Sequence, residues 1–346
     1  MTDPTTASSQ LPGLRLGPVT QWLTDNLALQ PPIDAVLVAG GRSNLTYRIT
    51  DAGERRFALR RPPAGTLLQT AHDMTREWTV LHAMQGTAVP VATPLALCTD
   101  VAVTGAPFYV MAWVDGVVPA DDRAAAQLSP AACRRLTSDL ADVLAELHAL
   151  DPDAVGLREW RRPGDYLQRQ LKRWHRQIHD SGCTQMALAD RVHRELVRRA
   201  PTGEERVVHG DYRAGNVMVG LDGQVRAVLD WELATLGHPL ADVAWLATSW
   251  ASPDDDLPPV TLSPTHLDGL GSRHDLVARY VERSGRDVST LPIYEAFARW
   301  RSACITAGVR ARYVAGVMGS DDYDAEEMDD RLRRQLEAAA ELLGRL

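Results

Sequence analysis

Strand-like alternation fills the chain as far as residue 115 and helical spacing dominates after it, an order that limits the possible folds more than any other feature of the sequence. Ala35–Ala39 is apolar, Gly40-Gly41 is a turn signal, and Leu45–Thr50 alternates. Asp51-Ala52-Gly53 is a hairpin turn, Arg56–Arg61 alternates again, and Pro62-Pro63 ends the run. Leu95–Leu97 and Pro107–Val114 read as two further strands. Two helical patterns interrupt them: Val19, Trp22, Leu23 and Leu27, and the stretch Ala71–Met84. Beyond Asp115-Gly116 the period changes. Ser129-Pro130 is a helix start, with Ser as cap and Pro at the first helical position, followed by a stripe of Leu136, Leu140, Val143, Leu144 and Leu147. Tyr166–His179, Leu240–Trp250, Leu276–Glu282, Tyr294–Tyr313 and Ala325–Leu343 are helical, around a short strand at Val207–Asp211 and a hairpin of Val217–Val219 with Val225–Leu229. The expectation is an α+β fold of two lobes: a loose polar tail over 1–14, a β-rich lobe over 15–115 and an α-rich lobe over 116–346, with ligand between the lobes.

Composition narrows the partners. A net charge of −8 without a basic stripe disfavours nucleic acid. No apolar run reaches the ~18 residues of a membrane helix, and the first twenty residues lack a basic segment followed by an apolar one. Cys98, Cys133, Cys183 and Cys304 form no C-x-x-C pair. The expected location is the cytoplasm, with no membrane or nucleic-acid partner. Lys172 is the only lysine.

The chemistry concentrates in His209-Gly210-Asp211-Tyr212-Arg213-Ala214-Gly215-Asn216 and, fourteen residues on, Asp230 within Val228-Leu229-Asp230-Trp231-Glu232. Asp and Asn five apart, followed by an Asp that ends a hairpin, supply what phosphoryl transfer needs: a carboxylate facing the acceptor hydroxyl, and an amide oxygen and a second carboxylate to hold Mg²⁺. This stretch resembles the aminoglycoside phosphotransferase and choline kinase family, which carries H-G-D where protein kinases carry H-R-D. The resemblance implies a protein-kinase-like fold and ATP- or GTP-dependent phosphorylation of a small-molecule hydroxyl, with Asp211 as catalytic base and Asn216 and Asp230 as Mg²⁺ ligands. Glu232 is either a second metal contact or local support.

The same resemblance assigns the upstream half. Gly40, Gly41, Ser43 and Asn44 stand where a loop covers the phosphates. In Phe57-Ala58-Leu59-Arg60, alternation puts Ala58 and Arg60 on one face, so Arg60 replaces the usual lysine, with Arg61 as runner-up and Glu77 as ion-pair partner. Phe108–Gly116 resembles the hinge, where backbone groups of Ala112 and Val114 meet the base beside Met111. Asp242 matches the Asp that holds the catalytic loop. Only twelve positions separate Asp230 from Asp242, which leaves no room for a peptide-docking segment. The branch most similar is the phosphotransferase module found alone in bacteria or fused to acyl-CoA dehydrogenases, through Leu59–Pro63, Gln170–Trp174, Leu229–Leu240 and Ala307–Tyr313. That branch implies hydroxyacyl-CoA-like acceptors. An aminoglycoside acceptor and a nucleotide-binding pseudokinase are the alternatives. The acceptor pocket is expected on Tyr166–Trp174 and Tyr294–Tyr313, with Arg169, Arg173, Arg299, Arg310 and Arg312 as cations for an anionic acceptor, and Asp254–Asp256, Asp321-Asp322 and Glu326-Glu327 for a polycation.

Overall fold

In the computed structural model the described residues are 11–39, 44–63, 74–250, 259–264, 267–316 and 324–346. The chain divides into two compact units, one running to Gln85 and resuming over Val91–Asp115, the other comprising Gly86–Pro90 and Gly116–Leu346.

The first unit is a five-stranded antiparallel sheet. Its strands β1 (Asp34–Ala39), β2 (Leu45–Thr50), β3 (Arg56–Arg61), β4 (Pro94–Cys98) and β5 (Phe108–Ala112) lie in the order β1-β2-β3-β5-β4. Three helices accompany it: α1 (Leu16–Leu27), α2 (Met74–Met84) and the single turn α3 (Val101–Thr104). Alternation decides which face each side chain takes. Leu45, Tyr47 and Ile49 of β2 and Leu59 of β3 join Val19 and Leu23 of α1, Phe108 and Val110 in one buried cluster. Each such aliphatic or aromatic side chain contributes roughly 1.5–3 kcal/mol by leaving water. The opposite face of β3 carries Ala58 and Arg60 toward α2. Of the expected tail over 1–14 only residues 11–14 are described, and there Leu14 is buried in this cluster and the Pro12 carbonyl accepts from the Tyr47 hydroxyl and from Arg61.

The second unit is mostly helical: α4 (Asp122–Ala125), α5 (Pro130–Ala149), α6 (Tyr166–Asp180), α7 (Met186–Arg199), α8 (Leu240–Ser249), α9 (Arg273–Ser284), α10 (Leu291–Val314) and α11 (Ala325–Gly344). The Ser129 hydroxyl caps α5 by accepting from the Ala132 N–H, as the sequence predicts. Every residue of α8 is buried, which fits a helix apolar on all sides at the centre of its unit. Two small ribbons sit among the helices: β6 (Arg206–Val208) with β9 (Thr235–Gly237), and β7 (Val217–Val219) with β8 (Val225–Val228). At the junction, Gly116 comes so close to the Val219 carbonyl that a Cβ would lie 2.5 Å from it, and Val117 bridges to Val219. Among the described residues no helix is long and apolar enough to cross a membrane.

Candidate active site

The β6–β9 and β7–β8 ribbons leave a loop between them, and that loop carries Asp211. Its backbone is clamped from below. The Asp242 carboxylate, in the first turn of α8, accepts from the His209 N–H at 2.6 Å and the Gly210 N–H at 2.8 Å. Burial pushes the Asp242 carboxyl up, but these donors and His148, 3.6 Å away, outweigh it and hold the group below the usual carboxylate range. Gly210 has φ +81°, and a Cβ there would lie 2.6 Å from the Leu233 carbonyl, so the position excludes any side chain. The His209 ring bonds the Leu229 carbonyl at 2.8 Å, and the Leu229 N–H donates to the Asn216 carbonyl at 2.8 Å. Loop and hairpin are thereby tied together immediately before Asp230.

Asp211 itself is held at both oxygens. The Trp245 indole N–H donates to Oδ1 at 2.6 Å, and the Asn216 amide donates to Oδ2 at 2.7 Å as well as to the Asp211 carbonyl at 2.9 Å. The Asn216 amide nitrogen is thereby committed to Asp211. Asp230 adopts φ +61°, ψ +64°, a left-handed conformation that a non-glycine residue holds only when its surroundings impose it. Its carboxylate and that of Glu232 bring oxygens within 4.8 Å of each other. Trp231 between them is buried, its ring 4.7 Å from that of His209.

A cation stands beside this loop that the sequence reading does not include. Arg301 of α10 is buried, donates to the Gly210 carbonyl at 2.7 Å, and lies over the rings of Trp245 (4.4 Å) and Trp174 (5.4 Å). Desolvation of its guanidinium and the neighbouring Arg301 charge push Arg173, an exposed residue, down from its usual value. Of the five arginines expected to serve an anionic acceptor, three are committed elsewhere: Arg169 pairs with Glu205, Arg310 with Asp329, and Arg299 is buried against Gln335. Arg299 and Arg301 differ by two positions, about 200° around a helix, so they leave α10 on opposite faces. The run Arg299-Trp300-Arg301 offers both, both are buried, and only their partners separate them: Gln335 for Arg299 and the Gly210 carbonyl for Arg301. Trp245 was visible as an apolar helix position three residues after Asp242, with nothing local to mark its indole as a partner of Asp211.

The first unit gathers a second polar cluster around Glu77 of α2. Its carboxylate accepts from Arg60 Nε at 2.9 Å, from the Tyr109 hydroxyl at 2.8 Å and from the Asn44 amide at 2.6 Å, and it is almost wholly buried. Arg60, not Arg61, therefore meets Glu77. Arg61 points to the other face, where its guanidinium bonds the Pro12 and Thr104 carbonyls and burial lowers its pKa. The Asn44 Oδ1 is buried with no partner among the described residues. Met111 and Ala112 close β5, with the Ala112 N–H given to the Thr93 carbonyl at 2.8 Å. Amide donation from Ala112 to a base is thus excluded in this arrangement; Val114 follows, half-buried. Asp115 is gripped by both guanidinium nitrogens of Arg56 at 2.6 Å. Gly40, Gly41 and Ser43, and the acidic runs Asp254–Asp256 and Asp321-Asp322, lie outside the described residues.

Residues 34–275 match the sequence profile of the phosphotransferase enzyme family. Mouse acyl-CoA dehydrogenase family member 10 is 32% identical over 84% of this chain, and the match spans 27% of that protein's length. Among solved structures, a Ralstonia eutropha protein described as a candidate aminoglycoside phosphotransferase superposes with a TM-score of 0.78 at 30% identity, covering 95% of this chain and 98% of that one. The phosphotransferase APH(2″)-IIa, solved with streptomycin and ATP, superposes at 0.60 with 12% identity over 93% of this chain and 97% of its own, a likeness of fold alone. The α+β, kinase-like fold expected from the sequence is the fold these neighbours share.

Proposed function

Since the chain belongs to the phosphotransferase enzyme family, we propose that it transfers the terminal phosphoryl group of ATP or GTP to a hydroxyl of a small molecule, in a Mg²⁺-dependent reaction. The observation that carries this reading is the Asp211 carboxylate, fixed at both oxygens on a loop whose backbone Asp242 clamps. A carboxylate so held faces its substrate without reorganising, which is the larger part of what a protein supplies to phosphoryl transfer. Asp211 takes the proton of the acceptor hydroxyl as its oxygen bonds to phosphorus. The bond from phosphorus to the bridging oxygen breaks, and the nucleoside diphosphate leaves.

Asn216 Oδ1 and the Asp230 carboxylate would hold the metal. An all-oxygen donor set with a half-buried carboxylate fits a hard cation such as Mg²⁺. When bound, the ion supplies charge neutralisation at the phosphate oxygens. Arg60, kept in place by Glu77, is the cation for the nucleotide phosphates, with Gly40, Gly41, Ser43 and Asn44 as the covering loop and Met111, Ala112 and Val114 beside the base. A cytoplasmic location, where both nucleotides are abundant, belongs to the same reading.

For the acceptor, the exposed Arg173, beside Arg301, supports an anionic molecule over a polycation. The likeness to relatives named acyl-CoA dehydrogenases supports a hydroxyacyl thioester of coenzyme A. The test is diphosphate release by purified protein with Mg²⁺ and ATP or GTP, against hydroxyacyl-CoA esters and kanamycin. Release with the thioesters and none with kanamycin is expected. Efficient kanamycin phosphorylation would overturn the acceptor assignment.

A further inference from the structure

Helices α6 and α7 hold a second group of ligating side chains, in the same unit as Asp211 and sharing no residue with the site just described. His175 and His179 lie one turn apart on α6, and Asp190 faces them from α7. Their ligating atoms form a tight triangle. His175 Nε2 is 2.8 Å from Asp190 Oδ1, His179 Nε2 is 3.1 Å from the same oxygen, and the two nitrogens are 3.2 Å apart.

Hydrogen bonds alone do not satisfy all three edges. An imidazole Nε2 offers either one proton or one lone pair. If both histidines donate to Asp190, their N–H groups face each other. If one accepts from the other, its lone pair faces the carboxylate oxygen. A cation at the centre satisfies all three atoms through lone pairs. Tetrahedral Zn²⁺, with bonds of about 2.0–2.2 Å, places its ligand atoms about 3.3 Å apart, close to the spacing here.

The triangle is also built from behind. The His175 ring stacks on His193 at 3.9 Å and 12°, and His193 stacks on the fully buried Trp300 of α10. The Trp300 indole donates to the Ala189 carbonyl, next to Asp190, at 3.1 Å. The stack fixes the His175 ring and the Trp300 bond holds the α7 backbone beside Asp190, which lessens the ordering left for the moment of binding.

We propose that His175, His179 and Asp190 bind one divalent transition-metal ion, Zn²⁺ by their donor set, which staples α6 to α7. Two imidazoles and a carboxylate select Zn²⁺ over Mg²⁺, and three ligands leave a fourth position for water. The full chain, stripped with chelator, is titrated with Co²⁺ and Zn²⁺. One equivalent of Co²⁺ should bind with the visible absorption of a four-coordinate site, Zn²⁺ should displace it, and Zn²⁺ should raise the unfolding temperature. Excess Mg²⁺ should not compete. His179→Ala removes an exposed ring with little packing and should weaken binding at least tenfold. Asp230→Ala should leave it unchanged, separating this site from the proposed Mg²⁺ ligands. Absence of the Co²⁺ spectrum, or unaltered affinity in folded His179→Ala, would overturn the proposal.

Discussion

Arg60→Ala and Arg61→Ala should fail in different ways, although the two residues are neighbours. Arg60 lies with Glu77; if it meets the nucleotide phosphate as proposed, losing it should remove a charge-assisted contact of ~1.5–3 kcal/mol, read as weaker nucleotide binding and slower turnover in a folded protein. Arg60→Lys should recover part of this. Arg61→Ala removes a buried guanidinium bonded to two carbonyls, so it should cost about 1–3 kcal/mol of stability and spare nucleotide affinity. The reverse pattern in calorimetry and denaturant melts would contradict the assigned faces of β3. Three histidines contribute to the response to acid: His148, His238 and His193, whose pKa burial pushes down to about 4. Burial pushes the His238 pKa down to about 4, with Arg286 adding to it, and burial lowers His148 despite the Asp242 carboxylate beside it. Above the ordinary value near 6.5 both folded and unfolded chains hold them neutral. Below it the unfolded chain takes up protons that the folded chain refuses, so stability falls from about pH 6.5 toward pH 4. The unfolding temperature should be level from pH 7 to 8 and decline below, with a shallower decline in His238→Gln. A decline of equal slope in that variant would remove His238 from the account.

Among the elements, the clamp of the Asp211 loop on α8 gives the sharpest expectation. Asp242→Ala leaves the buried His209 and Gly210 N–H groups unpartnered, each at about 1–3 kcal/mol, and frees the loop that positions Asp211. Lower stability together with a loss of turnover well beyond tenfold is expected; full activity in a stable Asp242→Ala protein would show the clamp to be dispensable. Most elements were legible because their cause is local. The Ser129-Pro130 start of α5 and the alternation of β2 and β3 are readable from neighbouring residues. Helix α7 was not, because its buried stripe is only Ala189, Val192 and Leu196 in a strongly charged segment. Strand β9 was missed for the opposite reason: three residues have no period, and only pairing with β6 defines them. The choice of Arg301 over Arg299, and the bond from Trp245 to Asp211, depend on which face of a helix meets a distant loop, and local sequence does not encode that.

At the scale of the molecule, the change of period at Asp115-Gly116 coincides with the boundary between the two compact units. The motif spacing from His209 to Asp242 was enough to point to the phosphotransferase family, and the match over residues 34–275 establishes membership. What spacing could not give is the acceptor, whose proposed pocket draws side chains from α6 and α10, far along the chain. In the proposed reaction Asp211 is the group that activates the acceptor, and Asp211→Asn tests this most directly. The variant keeps the size of the side chain while removing the base, and its amide can accept at only one of the two positions where Trp245 and Asn216 donate to Asp211. Diphosphate release with a turned-over acceptor should fall by at least 10²-fold, the usual lower bound for general-base catalysis, while calorimetry finds Mg-nucleotide affinity within a few-fold of wild type. Turnover within about tenfold of wild type would contradict the account.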